Sequence, residues 1–187
     1  MPVGTVLLVA ALATGGAIPS RTLPQADVPI PGHTGGFGEN DCTVCHLEAG
    51  PNLPGGSLTL LGLPEAYEPG GSYELEVVLE AEGTERAGFQ LTARHPDGSQ
   101  AGTFTPGDGG VQVLSPDSLV ADYVAQTAKG ADVTDPSGAT WRVHWTAPPG
   151  RGAILFHLAA NSANGDESPL GDLVYTAARN IESASAP

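Results

Sequence analysis

From Ser57 onward the chain is a series of short runs in which apolar and polar residues alternate, separated by turn residues. In "SYELEVVLE" (72–80) Tyr73, Leu75, Val77 and Leu79 alternate with Glu74, Glu76 and Glu80. Side chains of a strand point alternately to its two faces, so this run predicts a strand with one face in a core and the other in water. "RAGFQLTAR" (86–94) sets Phe89, Leu91 and Ala93 opposite Gln90, Thr92 and Arg94, and it stops at the turn "HPDG". "TWRVHWTAP" (140–148) sets Trp141, Val143 and Trp145 opposite Arg142, His144 and Thr146. "GAILFHLAA" and "GDLVYTAA" complete the strong strands, and "SLTLLGL", "QAGTFT", "VQVL" and "ADYVAQT" predict weaker ones.

Strands at this spacing, with no amphipathic helical stretch of useful length, predict an all-β domain, a sandwich of two antiparallel sheets. The expected division is a leader over 1–17, an irregular Pro/Gly-rich segment over 18–56, the sandwich over 57–179 and a polar tail over 180–187. The leader is read from the apolar run between Val3 and Ala13 followed by small residues, which suits a secretory signal peptide although it lacks the usual basic start. No other segment is apolar for long enough to span a bilayer. The expected product is periplasmic, secreted or at a bacterial cell surface, without a membrane span once the leader is removed.

Charge narrows the partners. Against 21 Asp and Glu stand 7 Lys and Arg, a formal charge of −14, so nucleic-acid phosphates and anionic bilayers are repelled and a basic protein partner is favoured.

Both cysteines lie in "HTGGFGENDCTVCHLEAG" (33–50), as Cys42-Thr-Val-Cys45-His46. Cys-x-x-Cys-His is the attachment pattern of c-type haem: each thiol forms a thioether with the porphyrin and the histidine binds the iron. Cys42 and Cys45 are the expected covalent attachment points of one haem c, and His46 the proximal iron ligand. A disulfide between the two cysteines would close a very small loop and stabilise little. A thioredoxin-like pair wants a βαβ setting, and a zinc site wants a fourth ligand that no finger-like spacing supplies.

On the distal side the one methionine is Met1, which belongs to the leader, so His33 is the candidate ligand. Glycines between it and Cys42 would let the backbone pass close to a flat ring. His144 and His157 lie out of phase with the apolar faces of their strands, and ordinary surface or packing roles are expected for both. In "AANSANGDESPLGD" (159–172), Asn161, Asn164, Asp166, Glu167 and Asp172 offer oxygens suited to calcium, but capping of their own turns is the favoured reading.

Taken in order, "GHTGGFGE", "CTVCH", "PGGSLTL", "YEPGGSYELEV", "AGFQL", "WTAP" and "AANSANGDESPLGD" resemble bacterial exported proteins that join a haem-attachment segment to a reelin-like (Reeler, choice-of-anchor V) domain. The resemblance spans about residues 31–177 and implies an immunoglobulin-like sandwich, export and c-type haem, without implying a reaction. Two departures stand out: Gln126 in "YVAQT" where such proteins often carry a histidine, and no visible anchoring tail.

The expected function is therefore an exported monohaem c-type cytochrome-like protein that transfers or relays electrons, a carrier rather than a catalyst. The alternative is an adhesion or binding sandwich with a Cys42–Cys45 disulfide and no haem. A haem-based sensor of small gases would follow if the distal face were open. Serine nucleophile elbows, phosphate-cradling Gly-Lys loops and His-Glu-x-x-His sites are absent from the sequence.

Overall fold

The computed structural model describes Met1, residues 29–47 and residues 50–185. The leader, apart from Met1, and the Pro/Gly-rich stretch before Pro29 lie outside the described residues. Ten strands follow in chain order: β1 (Gly56–Leu61), β2 (Ala66–Tyr67), β3 (Ser72–Ala81), β4 (Arg86–Arg94), β5 (Thr103–Pro106), β6 (Val111–Leu114), β7 (Tyr123–Gln126), β8 (Gly138–Thr146), β9 (Ile154–Ala163) and β10 (Leu173–Ser183). They form a four-stranded sheet, β1-β3-β8-β5, and a six-stranded sheet, β2-β10-β9-β4-β7-β6. All pairings are antiparallel except the short β2 beside β10. This is the expected all-β sandwich.

The core is built from the alternating residues. Leu75, Val77 and Leu79 of β3 and Trp141, Val143 and Trp145 of β8 meet Phe89 and Leu91 of β4 and Ile154, Phe156 and Leu158 of β9 between the sheets. Trp145 anchors this layer. Its ring packs edge-on against Phe156 (4.9 Å) and Tyr67 (6.0 Å) and stacks on Tyr73 (5.7 Å), while its indole N–H donates to Ala101 O at 3.0 Å. Trp141 stacks on Phe89 at 4.5 Å and donates to Gly130 O at 2.7 Å. Both large rings thus bury their area with the polar N–H satisfied.

Strand β10 runs to Ser183, past the point at which a polar tail was expected to begin. Ile181 is buried and pairs with Ile154, and Glu182 and Ser183 pair with β2. One apolar side chain at the right register keeps this polar-looking stretch in the sheet.

Strand β4 is buried on both faces: Gln90, Thr92 and Arg94 are as covered as Phe89, Leu91 and Ala93. The cover of Gln90 and Arg94 comes from residues 30–39, part of the irregular Pro/Gly-rich segment. The amide of His33 donates to Gln90 Oε1 at 3.0 Å, and Gln90 Nε2 donates to Ile30 O. Gly36 lies on His157 of β9 so closely that a Cβ there would fall 2.1 Å from the imidazole Cγ. Glycine is required at 36 by that close approach.

Candidate functional site

Residues 33–47 cross the outer face of the six-stranded sheet, and three sets of contacts fix them there. The first is polar and buried. Glu39 accepts from both Arg94 and Tyr123 through one carboxylate oxygen, and from Thr34 Oγ1 at 2.8 Å through the other. Arg94 is 6% exposed and Glu39 15%, so the ion pair sits in a medium where its charges are poorly screened. Arg94 also donates to Tyr123 Oη and lies over the Phe37 ring at 4.8 Å. Burial, helped by the neighbouring Glu39, pushes the Tyr123 hydroxyl far above its usual range. Phe37 meets His157 edge-on at 5.0 Å, and burial lowers the pKa of that imidazole.

The second set shapes the cysteine turn. Asp41 caps a short 3-10 turn, Cys42–Val44, by accepting from the Thr43 amide at 2.8 Å and from the Thr43 hydroxyl at 2.5 Å. The amides of Cys45 and His46 both donate to Cys42 O, at 3.2 and 3.0 Å. This turn packs on β9 and gathers Cys42, Cys45 and His46 into one curl. Cys45 is exposed and Cys42 half-buried, and both are free thiols. Burial first, then the Asp41 carboxylate and Cys45, push the Cys42 thiol up to about 12.

The third set lies at the start of β10. His46 Nδ1 is 2.6 Å from Asp172 Oδ2, and the Asp172 side chain is 2% exposed against 34% for His46. The other oxygen of Asp172 accepts from the Asn164 amide at 3.3 Å. Leu47 N donates to Pro169 O at 2.8 Å, and Asn52 exchanges bonds with Val174 and Thr176 along β10. A carboxylate can only accept, so Nδ1 is the donor of this pair and Nε2 is the ring nitrogen it leaves for another partner.

Asp172 is thereby taken from the oxygen-rich loop that had suggested calcium. Two other side chains of that loop cap its own turns: Asn164 Oδ1 accepts from Asp166 N at 3.2 Å, and Asp166 Oδ1 from Ser168 N at 2.8 Å. Among the described residues no group of three or more His, Cys, Asp and Glu side chains gathers to hold a metal ion.

Cys42, Cys45 and His46 share one turn, and His33 is held on β4. Its Nδ1 faces Ile30 O at 3.1 Å and its amide is held by Gln90. Gln90 pairs with Ala159, which pairs with Thr176, so Asp172 lies two strands across and four residues along from it. At about 4.8 Å per strand and 3.3 Å per residue the two anchors are roughly 16 Å apart. His157 has the packing role described above, and His144 lies in the other sheet, on β8.

The chain matches no family model and no curated protein. Solved structures of similar architecture exist. The reelin-N domain of F-spondin aligns at 21% identity over 77% of this chain and 96% of that one, with a TM-score of 0.49. The human F-spondin reeler domain gives 21%, 72%, 93% and 0.46 for the same four quantities. A cohesin module of a Clostridium perfringens family 33 glycoside hydrolase gives 13%, 70%, 98% and 0.47. These are likenesses of shape between this sandwich and others.

What the site offers chemically follows from its donors: two thiols and one imidazole on a single turn. Close along the chain to these groups, or to the Pro169 contact of the segment, are the exposed apolar side chains Val44, Leu47, Leu53 and Leu170. Two thiols and one imidazole are the donor types that a covalently attached haem takes. Sequence reasoning found the cysteines and His46 but gave Asp172 no part with them, because 126 residues separate it from His46. No helix among the described residues is long and apolar enough to cross a membrane.

Proposed function

We propose that this protein is an exported monohaem c-type cytochrome-like electron carrier, with the sandwich serving as the platform for its haem-attachment turn. The observation that carries the reading is His46: its Nδ1 is engaged by buried Asp172 at 2.6 Å, so Nε2 is the nitrogen left to bind metal. Metal-ligating histidines commonly have the second ring nitrogen held in this way, often by a carboxylate. Cys42 and Cys45 would hold the haem by thioether bonds and His46 would be its proximal ligand. Val44, Leu47, Leu53 and Leu170 would then lose exposed apolar area against the porphyrin. When bound, the haem supplies a one-electron couple between ferrous and ferric iron.

The chain's own residues do the rest. Glu39 and Arg94 pin the segment that carries the turn, Asp41 shapes the turn, and Asp172 holds the imidazole. The net charge of −14 favours transient docking on a basic redox partner, with an association rate that falls as salt rises. Export is inferred from the leader read over residues 1–17.

The test is covalent colour. Protein made in a host that matures c-type cytochromes should keep its Soret absorbance after denaturation and extraction with acidified organic solvent. The Cys42→Ser/Cys45→Ser double variant should lose it. Colourless wild-type protein from that host would remove the haem reading and leave an exported binding or adhesion sandwich as the account.

A further inference from the structure

Asp172 is a buried carboxylate that has no Arg or Lys partner among the described residues. Its oxygens face His46 Nδ1 at 2.6 Å and the Asn164 amide at 3.3 Å, and its side chain is 2% exposed. A carboxylate removed from water needs strong hydrogen-bond partners to remain there. The backbone supplies one of these two and the attachment motif the other. A backbone carbonyl would fix the imidazole orientation equally well, since either acceptor directs Nδ1–H. A carboxylate adds negative charge to the same hydrogen bond and makes the ring a stronger electron donor through Nε2.

We propose that Asp172 is the positioning residue of the haem site: it fixes the orientation and tautomer of His46, and its charge biases the iron toward the ferric state. This rests on the proposed function, because the bias acts on a haem held by His46. Ferric iron carries one more positive charge than ferrous, so a negative group behind the ligand stabilises it preferentially. The consequence is a carrier poised to donate electrons. His46 and Asp172 lie on different parts of the chain, so the pairing also couples the turn to the start of β10.

Asp172→Asn separates charge from shape, since the amide oxygen still accepts from Nδ1–H. The experiment is a potentiometric titration of the mature haem protein, wild type against Asp172→Asn. The expected result is at least a tenfold rise in the ferrous-to-ferric ratio at fixed potential, an upward shift of about 59 mV or more for one electron. A merely structural role would lower the melting temperature and leave the midpoint in place, and an unchanged midpoint in a folded, haem-loaded variant overturns the electrostatic bias.

Nitrogen-15 spectra of the haem-free protein test the positioning role by itself. They should show His46 in the Nδ1–H form in wild type, with the Nε2–H form appearing in Asp172→Ala. The same tautomer in both overturns positioning. If wild-type protein takes up no haem, the function proposal fails by that result, while the tautomer comparison still decides whether Asp172 orients His46.

Discussion

Glu39 is one of the residues by which the N-terminal segment grips the sandwich, and Glu39→Gln tests that grip. The substitution keeps the size of the side chain and removes its charge. Arg94, 6% exposed, would then hold a positive charge without its carboxylate partner, and among the described residues Arg94 Nε already has no hydrogen-bond partner. Removing one member of a buried pair costs 3–5 kcal/mol in fully enclosed sites. The partial exposure of Glu39 and the acceptor that Gln retains reduce this to about 2 kcal/mol.

The loss should appear first as local opening, because residues 29–41 lie on the sheet rather than within it. Hydrogen exchange reads it directly. The amides of Gly35 and Glu39, bonded to Asn40 O and Gly36 O at 2.9 Å each, should exchange roughly 30-fold faster in the variant, the factor that 2 kcal/mol represents. Amides of β3 and β8 should change far less. Glu39→Met with Arg94→Met should recover part of the protection, since an apolar pair leaves no stranded charge. Less than a threefold change at Gly35 and Glu39, in both Glu39→Gln and Glu39→Ala, would refute the reasoning.

Two further outcomes follow from the same face of the sheet. Burial lowers the folded-state pKa of His157 below the ordinary histidine value of about 6.5, so the unfolded chain binds the extra proton first as pH falls. Stability should therefore decline as pH drops below about 6.5 and level off below the folded-state pKa, with a slope of at most about 1.4 kcal/mol per pH unit; urea midpoints that decline equally in wild type and His157→Gln would contradict this. In haem-free reduced protein at pH 8, exposed Cys45 should alkylate at least tenfold faster than Cys42, whose thiol is pushed up to about 12 and yields only about one part in ten thousand thiolate. Peptide mapping after timed iodoacetamide treatment checks the order, and equal rates would count against it.

Much of the sandwich is legible in the sequence because strands such as β3 and β8 alternate cleanly between a buried and a solvated face. Legibility fails where a third layer is added. Gln90, Thr92 and Arg94 carry the pattern of a solvated face, yet they are buried, Gln90 and Arg94 beneath a segment more than fifty residues earlier in the chain. The one local hint is Gly36, which spacing alone does not distinguish from the linker glycines around it. Likewise Cys42, Cys45 and His46 announce themselves by spacing, whereas Asp172 looks like one acidic loop residue among several. Its contact with His46 depends on where β10 begins beside the cysteine turn, a consequence of topology rather than of local pattern. The end of β10 is obscured for a related reason: a polar stretch stays paired, through Ile181 with β9 and through Glu182 and Ser183 with β2.

The central claim is that the turn Cys42–His46 carries a covalent haem, and the most direct measurement is an intact mass together with a reduced-minus-oxidised spectrum. Protein exported from a host competent in cytochrome c maturation should gain one haem, about 0.6 kDa, and show a sharp α-band on reduction. A mass equal to the unmodified chain, or short by only the two hydrogens of a disulfide, with no visible spectrum, would contradict the account.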